Sequence, residues 1–380
     1  MFSQLLCASN ARIQRFFVDL SWPRLTSHRC SARVLRYMVH VSNASQPYRA
    51  ARPVDKPVVA SSAALNAALH CCDDACVPAG GAAGAPCAAA EAAAAAVTCE
   101  SLLPSPADAL YLSSVLSSAE CASLRAAASA LNRYSAWSDA DGARSFRGAD
   151  TVEVDCPRVA AALWARMSPH LPHVVTISET DPDAERGTHG VWRATGLNEN
   201  FLFSVYTSGG HFAPHTDGAT VVSYNARSLY SVIIYLEECE DGSGGTAIFA
   251  RRKEGDRHDQ GGAPQVARVY EADAARRLRW AERPCAVARS RHGSTLVFRQ
   301  DLAHEGEPVL AAGATKTIIR TDVMFERAPA RCGGGDGDAA WRAWKEAQAA
   351  EDAGDAAQAV AHYRRAARLC PEMAREAGFA

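Results

Sequence analysis

NFLFSVYTSGGHFAPHTDG, residues 200–218, runs from an apolar strand pattern through a glycine turn into a His-x-Asp pair. Phe201, Phe203 and Val205 alternate with Leu202, Ser204 and Tyr206. That period of two sends successive side chains to opposite faces of a strand. Comparable runs follow in YSVIIYLEE (230–238), GTAIF (245–249), CAVARS (285–290), STLVFR (294–299) and KTIIRTDVMF (316–325). The turn clusters TSGG, EDGSGG and AAGAT separate several of them. Many short strands without interleaved helices predict a sandwich or barrel. The expected class is α+β, with a barrel over about 198–327.

His215 and Asp217 are two apart, so on a strand they face the same way and can share one ion. Non-haem Fe(II) is held by two histidines and one carboxylate, with positions left open for other ligands. The candidate third ligand is His304, in LVFRQDLAHEGEPV at the end of an apolar strand. Such a site needs a cation for an acidic co-substrate. Lys316 and Arg320 lie on one face of the last strand and both qualify. A His-x-Asp pair alone is weak evidence. The ordered set, Tyr206, Gly-Gly, His-x-Asp, GGTxxF, distal histidine and Lys/Arg, is much more specific.

Over about residues 107–327 the sequence resembles the 2-oxoglutarate- and Fe(II)-dependent dioxygenases, in the prolyl 4-hydroxylase-like branch. VYTSGGHFAPHTDG is similar to that family's Y-x-x-G-G-x-[FY]-x-x-H-x-D, and SVIIYLEECEDGSGGTAIF to its strand, acidic turn and GGxTxF. HGSTLVF and HEGEPV resemble its glycine-led strand and distal histidine, and LSSAEC its N-terminal helix start. The resemblance implies a double-stranded β-helix, the jelly-roll or cupin-like barrel. It implies His215, Asp217 and His304 as Fe(II) ligands. Tyr206 and Lys316 would hold the distal carboxylate of 2-oxoglutarate, with Arg320 competing for that anchor because Lys316 follows His304 by two residues more than is usual in the family. Thr246 stands one position early for the GGxT threonine and takes no role. The implied reaction is hydroxylation of a peptidyl, in particular prolyl, substrate with release of succinate and CO2, supported by ascorbate. The alternatives are a catalytically silent binding scaffold, or the same chemistry on a small molecule.

The rest of the chain reads as follows. Residues 1–54 hold eight arginines and one acidic residue, Asp19. That is the composition of a transit peptide, giving an expectation of chloroplast or mitochondrion, otherwise cytoplasm. Residues 55–106 form an Ala/Gly-rich linker. A capping box, Ser117 with Glu120, starts one helix. CPRVAAALWARMSPHL makes a second, with Pro157 in its first turn, and the two helices buttress the barrel. Residues 251–283 form an insertion loop carrying a short helix, and 328–338 a hinge. Residues 339–377 form a helical hairpin resembling half of a tetratricopeptide repeat, a docking site for a partner. The thirteen cysteines have no regular spacing in the globular part and read as reduced thiols. A formal net charge of −2 and no basic stripe argue against nucleic acid. No apolar run approaches the roughly 18 residues of a membrane span, so no membrane partner is expected.

Overall fold

The computed structural model describes residues 58–59, 96–136, 147–181, 184–185, 187–249, 284–332 and 335–377. The expected transit segment, most of the linker and the whole of the 251–283 insertion lie outside the described residues. In chain order the strands and helices begin with β1 (Val58–Val59), β2 (Thr98–Ser101), β3 (Ala109–Ser113), α1 (Ser118–Ala130), β4 (Ser135–Ala136), β5 (Asp150–Asp155) and α2 (Pro157–Met167). The barrel continues with β6 (Val174–Ile177), β7 (Gly190–Leu197), β8 (Asn200–Thr207), β9 (Phe212–His215), β10 (Val221–Ser223), β11 (Ala226–Tyr235) and β12 (Thr246–Ile248). After the insertion come β13 (Ala286–Ala288), β14 (Thr295–Arg299), β15 (His304–Gly306) and β16 (Thr315–Arg327). The chain finishes with α3 (Gly335–Asp352), α4 (Ala356–Leu369) and α5 (Pro371–Ala377).

Two sheets form a jelly roll. The larger runs β1-β5-β8-β16-β11-β14-β3-β2, and the smaller β13-β12-β15-β9. The central strands are buried on both faces, so β11 ends in an unbroken apolar run, VIIY. Val232 and Ile234 of β11, Phe201 and Phe203 of β8, and Ile319 and Val323 of β16 face one cluster. That cluster takes in Cys121, Leu124 and Ala128 of α1 and Val159, Leu163 and Met167 of α2. The helices thus pack on the outer face of the large sheet. The alternate residues, Tyr206, Ile233, Tyr235 and Ile318, face inward and meet Ile248 and Ala288 of the small sheet. This inner face builds the site.

The capping box of α1 is present: Glu120 N–H donates to Ser117 Oγ at 3.2 Å, and Ser117 N–H donates to Glu120 Oε2 at 2.8 Å. Glu120 then pairs with Arg166 of α2 at 2.7 Å, tying the two helices together.

Three sequence expectations are corrected. The 55–106 linker overruns the sheet at both ends: Val58–Val59 pairs in parallel with Val154–Asp155, and Thr98–Ser101 adds to β3. β2 is held through its backbone while its four side chains stay exposed, so no apolar pattern marks it. The 328–338 hinge is shorter than expected, because α3 starts at Gly335 with Asp336 and Asp338 in its first turn, where carboxylates favour the positive end of the helix dipole. Not every thiol is reduced: Cys332 and Cys370 form a disulfide with Cα atoms 5.5 Å apart, closing the base of the α3–α4 hairpin. They lie 38 residues apart, a proximity that only the folded hairpin creates.

Candidate metal and co-substrate site

β9 and β15 pair antiparallel with His215 directly opposite His304, and their ring centroids are 4.3 Å apart. The Nδ1 of His215 faces the Ala213 carbonyl at 2.7 Å, and that of His304 faces the Leu302 carbonyl at 3.0 Å. A carbonyl only accepts, so each Nδ1 carries a proton, and Nε2 is the nitrogen that each ring presents to a metal. Asp217 sits two residues beyond the end of β9 rather than on it. Its backbone N–H donates to Gln300 O at 3.1 Å, which turns the carboxylate back to the histidines. Asp217 Oδ1 lies 3.5 Å from His215 Nε2, and Oδ2 lies 3.7 Å from His304 Nε2. The three ligating atoms all fall within 4.8 Å of one another. Two imidazoles and one carboxylate on one side of a point, with the cavity on the other, fit a non-haem Fe(II) centre.

The charges are set for that task. Burial and the neighbouring His215 push the His304 imidazole down to about 4, so it is neutral near pH 7 and ready to ligate. Burial opposes ionisation of Asp217, but Arg320 and the imidazoles outweigh it and hold the carboxyl well below the usual range. Arg320 reaches Asp217 Oδ2 at 3.6 Å and Asp322 Oδ1 at 3.0 Å. Ser231 Oγ also donates to Asp217. Asp322 accepts from Gln300 Nε2 at 2.9 Å and from Thr220 Oγ1 at 2.8 Å.

A small cavity opens beside the triad, lined by His215, Asp217 and His304 on one side. Lys316 lies on its wall, only 2% exposed and directly opposite Tyr206 across the β8–β16 ladder. Its Nζ donates to Gly245 O at 3.3 Å and stands 5.2 Å from the centre of the Tyr206 ring. Burial pushes the Lys316 ammonium down to about 8, against the raising influence of Cys239 and Glu307. Lys316, Ile318 and Arg320 all line the cavity, as three residues on one strand face should. His211 is not part of the wall.

Several wall residues carry no signal that sequence reasoning could have used. Thr246 lines the cavity and accepts from Tyr235 Oη at 2.7 Å, despite its offset from the family motif. Arg147 enters from the segment before β5 and bridges to Phe212. Ser231, Gln300 and Asp322 brace Asp217 and Arg320 from beneath. Their sequence surroundings are those of ordinary strand and turn residues.

Residues 201–321 match the model of the 2OG-Fe(II) oxygenase superfamily. The chain carries a 2OG-Fe(II) oxygenase domain. The matched stretch of this oxygenase holds Tyr206, all three metal-site residues, Lys316 and Arg320. A comparison with curated proteins gives no match. Among solved structures, the oxygenase is similar to a Pseudomonas putida prolyl-4-hydroxylase at 15% identity, covering 63% of this chain and 98% of that one, TM-score 0.32. It is similar to a Trichoplax adhaerens prolyl hydroxylase in complex with a hypoxia inducible factor peptide fragment, at 11% identity, covering 63% and 89%, TM-score 0.31. It is also similar to SnoN, a non-haem α-ketoglutarate-dependent epimerase from nogalamycin biosynthesis, at 15% identity, covering 63% and 84%, TM-score 0.32. Likenesses this distant leave the substrate undecided.

Proposed function

We propose that this 2OG-Fe(II) oxygenase hydroxylates a peptidyl substrate, in the first instance at proline, releasing succinate and CO2. The observation that carries the oxygenase chemistry is the joint placement of His215, Asp217 and His304 beside a cavity whose wall holds a buried lysine. The peptidyl assignment rests on the resemblance of VYTSGGHFAPHTDG to the prolyl 4-hydroxylase-like motif.

In this reading His215, Asp217 and His304 hold the iron. The bound iron and 2-oxoglutarate supply the oxidising chemistry, decarboxylation of the co-substrate coupled to hydroxylation of the substrate. Lys316 pairs with the distal carboxylate and Tyr206 donates its hydroxyl beside it. Arg320 is the weaker candidate for that pairing because Asp217, Asp322 and Ser231 already engage it. Its part is to keep Asp217 ionised and aimed at the metal. The apolar inner face around Ile233, Tyr235 and Ile318 keeps the site dry, so that charge pairing inside it is strong.

The test is release of succinate from 2-oxoglutarate by the Fe(II)-loaded protein, with and without proline-rich peptides. Peptide-stimulated release with a matching mass gain of one oxygen on the peptide supports the proposal. Release that no peptide stimulates, but that a small molecule does, moves the same chemistry to a small-molecule substrate.

A further inference from the structure

Among the described residues lining the cavity, Arg147 alone lies outside 201–321, the stretch matched to the superfamily. It is 3% exposed, and its partners fix where it points. Its Nη2 donates to Ser204 Oγ at 3.0 Å, and its guanidinium lies 4.8 Å over the Phe212 ring. On the backbone, Arg147 bridges antiparallel to Phe212, and Gly148 N–H donates to His211 O at 2.8 Å. Ser204 and Tyr206 are two apart on β8 and share its inner face. A side chain pinned on Ser204 stands next to Tyr206 as well, and Arg147 hydrogen-bonds to that phenol.

Chemistry fixes the direction of that bond. A guanidinium only donates, so Tyr206 Oη accepts. The side of the oxygen facing Arg147 is thereby occupied, and the one hydrogen of the phenol turns elsewhere. The other cation beside the ring, the Lys316 ammonium 5.2 Å from its centre, is likewise a donor only. Burial pushes the Tyr206 phenol up, while Arg147 works against that rise by its charge and its hydrogen bond. The same pull makes the phenol a stronger hydrogen-bond donor. What Tyr206 offers the cavity is thus an O–H, and the group that suits it best is an anionic acceptor.

We propose that Arg147 is a positioning residue: by donating to Tyr206 Oη it aims the phenol O–H at the distal carboxylate of 2-oxoglutarate. It thereby favours a co-substrate that carries a carboxylate at that end. This deepens the functional reading above and rests on it. Arg147 acts through Tyr206 and does not itself touch the co-substrate.

The experiment measures binding to the Fe(II)-loaded protein without oxygen. The probes are 2-oxoglutarate and 2-oxopentanoate, which has a methyl group in place of the distal carboxylate. Arg147→Met and Tyr206→Phe are made singly and together, with Arg147→Lys as the conservative variant. Arg147→Met should weaken 2-oxoglutarate about tenfold, the scale of one hydrogen bond to a charged group, and leave 2-oxopentanoate unchanged. In the Tyr206→Phe background the same substitution should cost less than about twofold, because the hydroxyl it aims is gone. Arg147→Lys, which still only donates, should recover part of the affinity. Should Arg147→Met lose Fe(II) as well, Arg147→Gln takes its place in the same pairs. A loss that persists in full beside Tyr206→Phe overturns the proposal, since Arg147 then acts on the co-substrate directly or on the fold. So does a parallel loss of 2-oxopentanoate, which a merely structural role would cause. If 2-oxopentanoate does not bind measurably to wild type, the pairing with Tyr206→Phe decides alone. Failure of wild type to bind 2-oxoglutarate overturns the functional reading and this proposal with it, whereas binding that Arg147→Met leaves intact overturns this proposal alone.

Discussion

Lys316 and Arg320 are four residues apart on one face of β16, and their neighbours divide the work between them. Lys316 has a backbone carbonyl within hydrogen-bond distance and an aromatic partner, while Arg320 is drawn to Asp217 and Asp322. Lys316→Ala should therefore cost about 3–5 kcal/mol of 2-oxoglutarate binding, two or more powers of ten in Kd. Arg320→Ala should act first on the metal, loosening Fe(II) by about 10–100-fold, as loss of a partner behind a ligand does. Equilibrium titrations of both variants with Fe(II) and with 2-oxoglutarate check the division; a reversed pattern makes Arg320 the anchor. The Lys316 ammonium also sets a pH dependence. Its pKa in the folded protein lies at about 8, below the ordinary lysine value, because burial disfavours the charge. Below pH 8 the lysine is already charged and 2-oxoglutarate binds fully. Above it, binding must take up a proton, so affinity should fall by up to about tenfold per pH unit until the pKa of the complex is reached. The check is Kd from pH 7 to 9.5 in wild type and Lys316→Arg, where the fall should vanish because a guanidinium stays charged.

At the scale of elements, the site depends on how one turn delivers β9 from β8. Gly210 packs so closely that a Cβ there would sit 2.6 Å from Gly148 O and 2.8 Å from Thr207 O. Thr207 O belongs to the same tight turn, to which Gly210 N–H donates at 2.7 Å, whereas Gly148 O comes from the segment before β5 packed against it. Gly210→Ala should push β9 away from β15 at a cost of about 1–3 kcal/mol, the range for overpacking. Iron content should drop more sharply than the melting temperature, because the His215–His304 register is what the turn protects. Metal analysis alongside thermal melting tests this. Legibility differed among elements for physical reasons. The α1 capping box spans four residues and is a local signal, so Ser117 and Glu120 announced it. β2 joins the sheet through backbone hydrogen bonds, which every residue but proline can donate, and its side chains stay exposed, so its sequence gave no sign.

At the scale of the molecule, two different devices hold the parts together. The barrel closes on the metal site, so Fe(II) with 2-oxoglutarate should raise its melting temperature, by about 2.7 kcal/mol of stability at one hundred times Kd. The α3–α4 hairpin is too small to bury a core of its own. Its base is closed by Cys332–Cys370, and Asn225 ties Arg331 to the barrel on both sides, accepting at 2.9 Å and donating at 2.8 Å. Closing a loop of 38 residues is worth about 3–4 kcal/mol. Cys370→Ser should therefore expose 335–377 to hydrogen exchange while the barrel strands keep their protection; loss of protection throughout would show that hairpin and barrel unfold together. The sequence by itself determined the alternating strands, the types and order of the metal-site residues, and the pair of cations on the last strand. These are properties of period and chemistry that a chain carries locally. Only the tertiary structure decided which cation is drawn to Asp217, that Arg147 reaches the cavity, that Asp217 converges from beyond its strand, and that Cys332 meets Cys370. Each is a through-space pairing between distant segments, fixed by the register of two sheets and the closure of a hairpin, and no spacing along the chain encodes it.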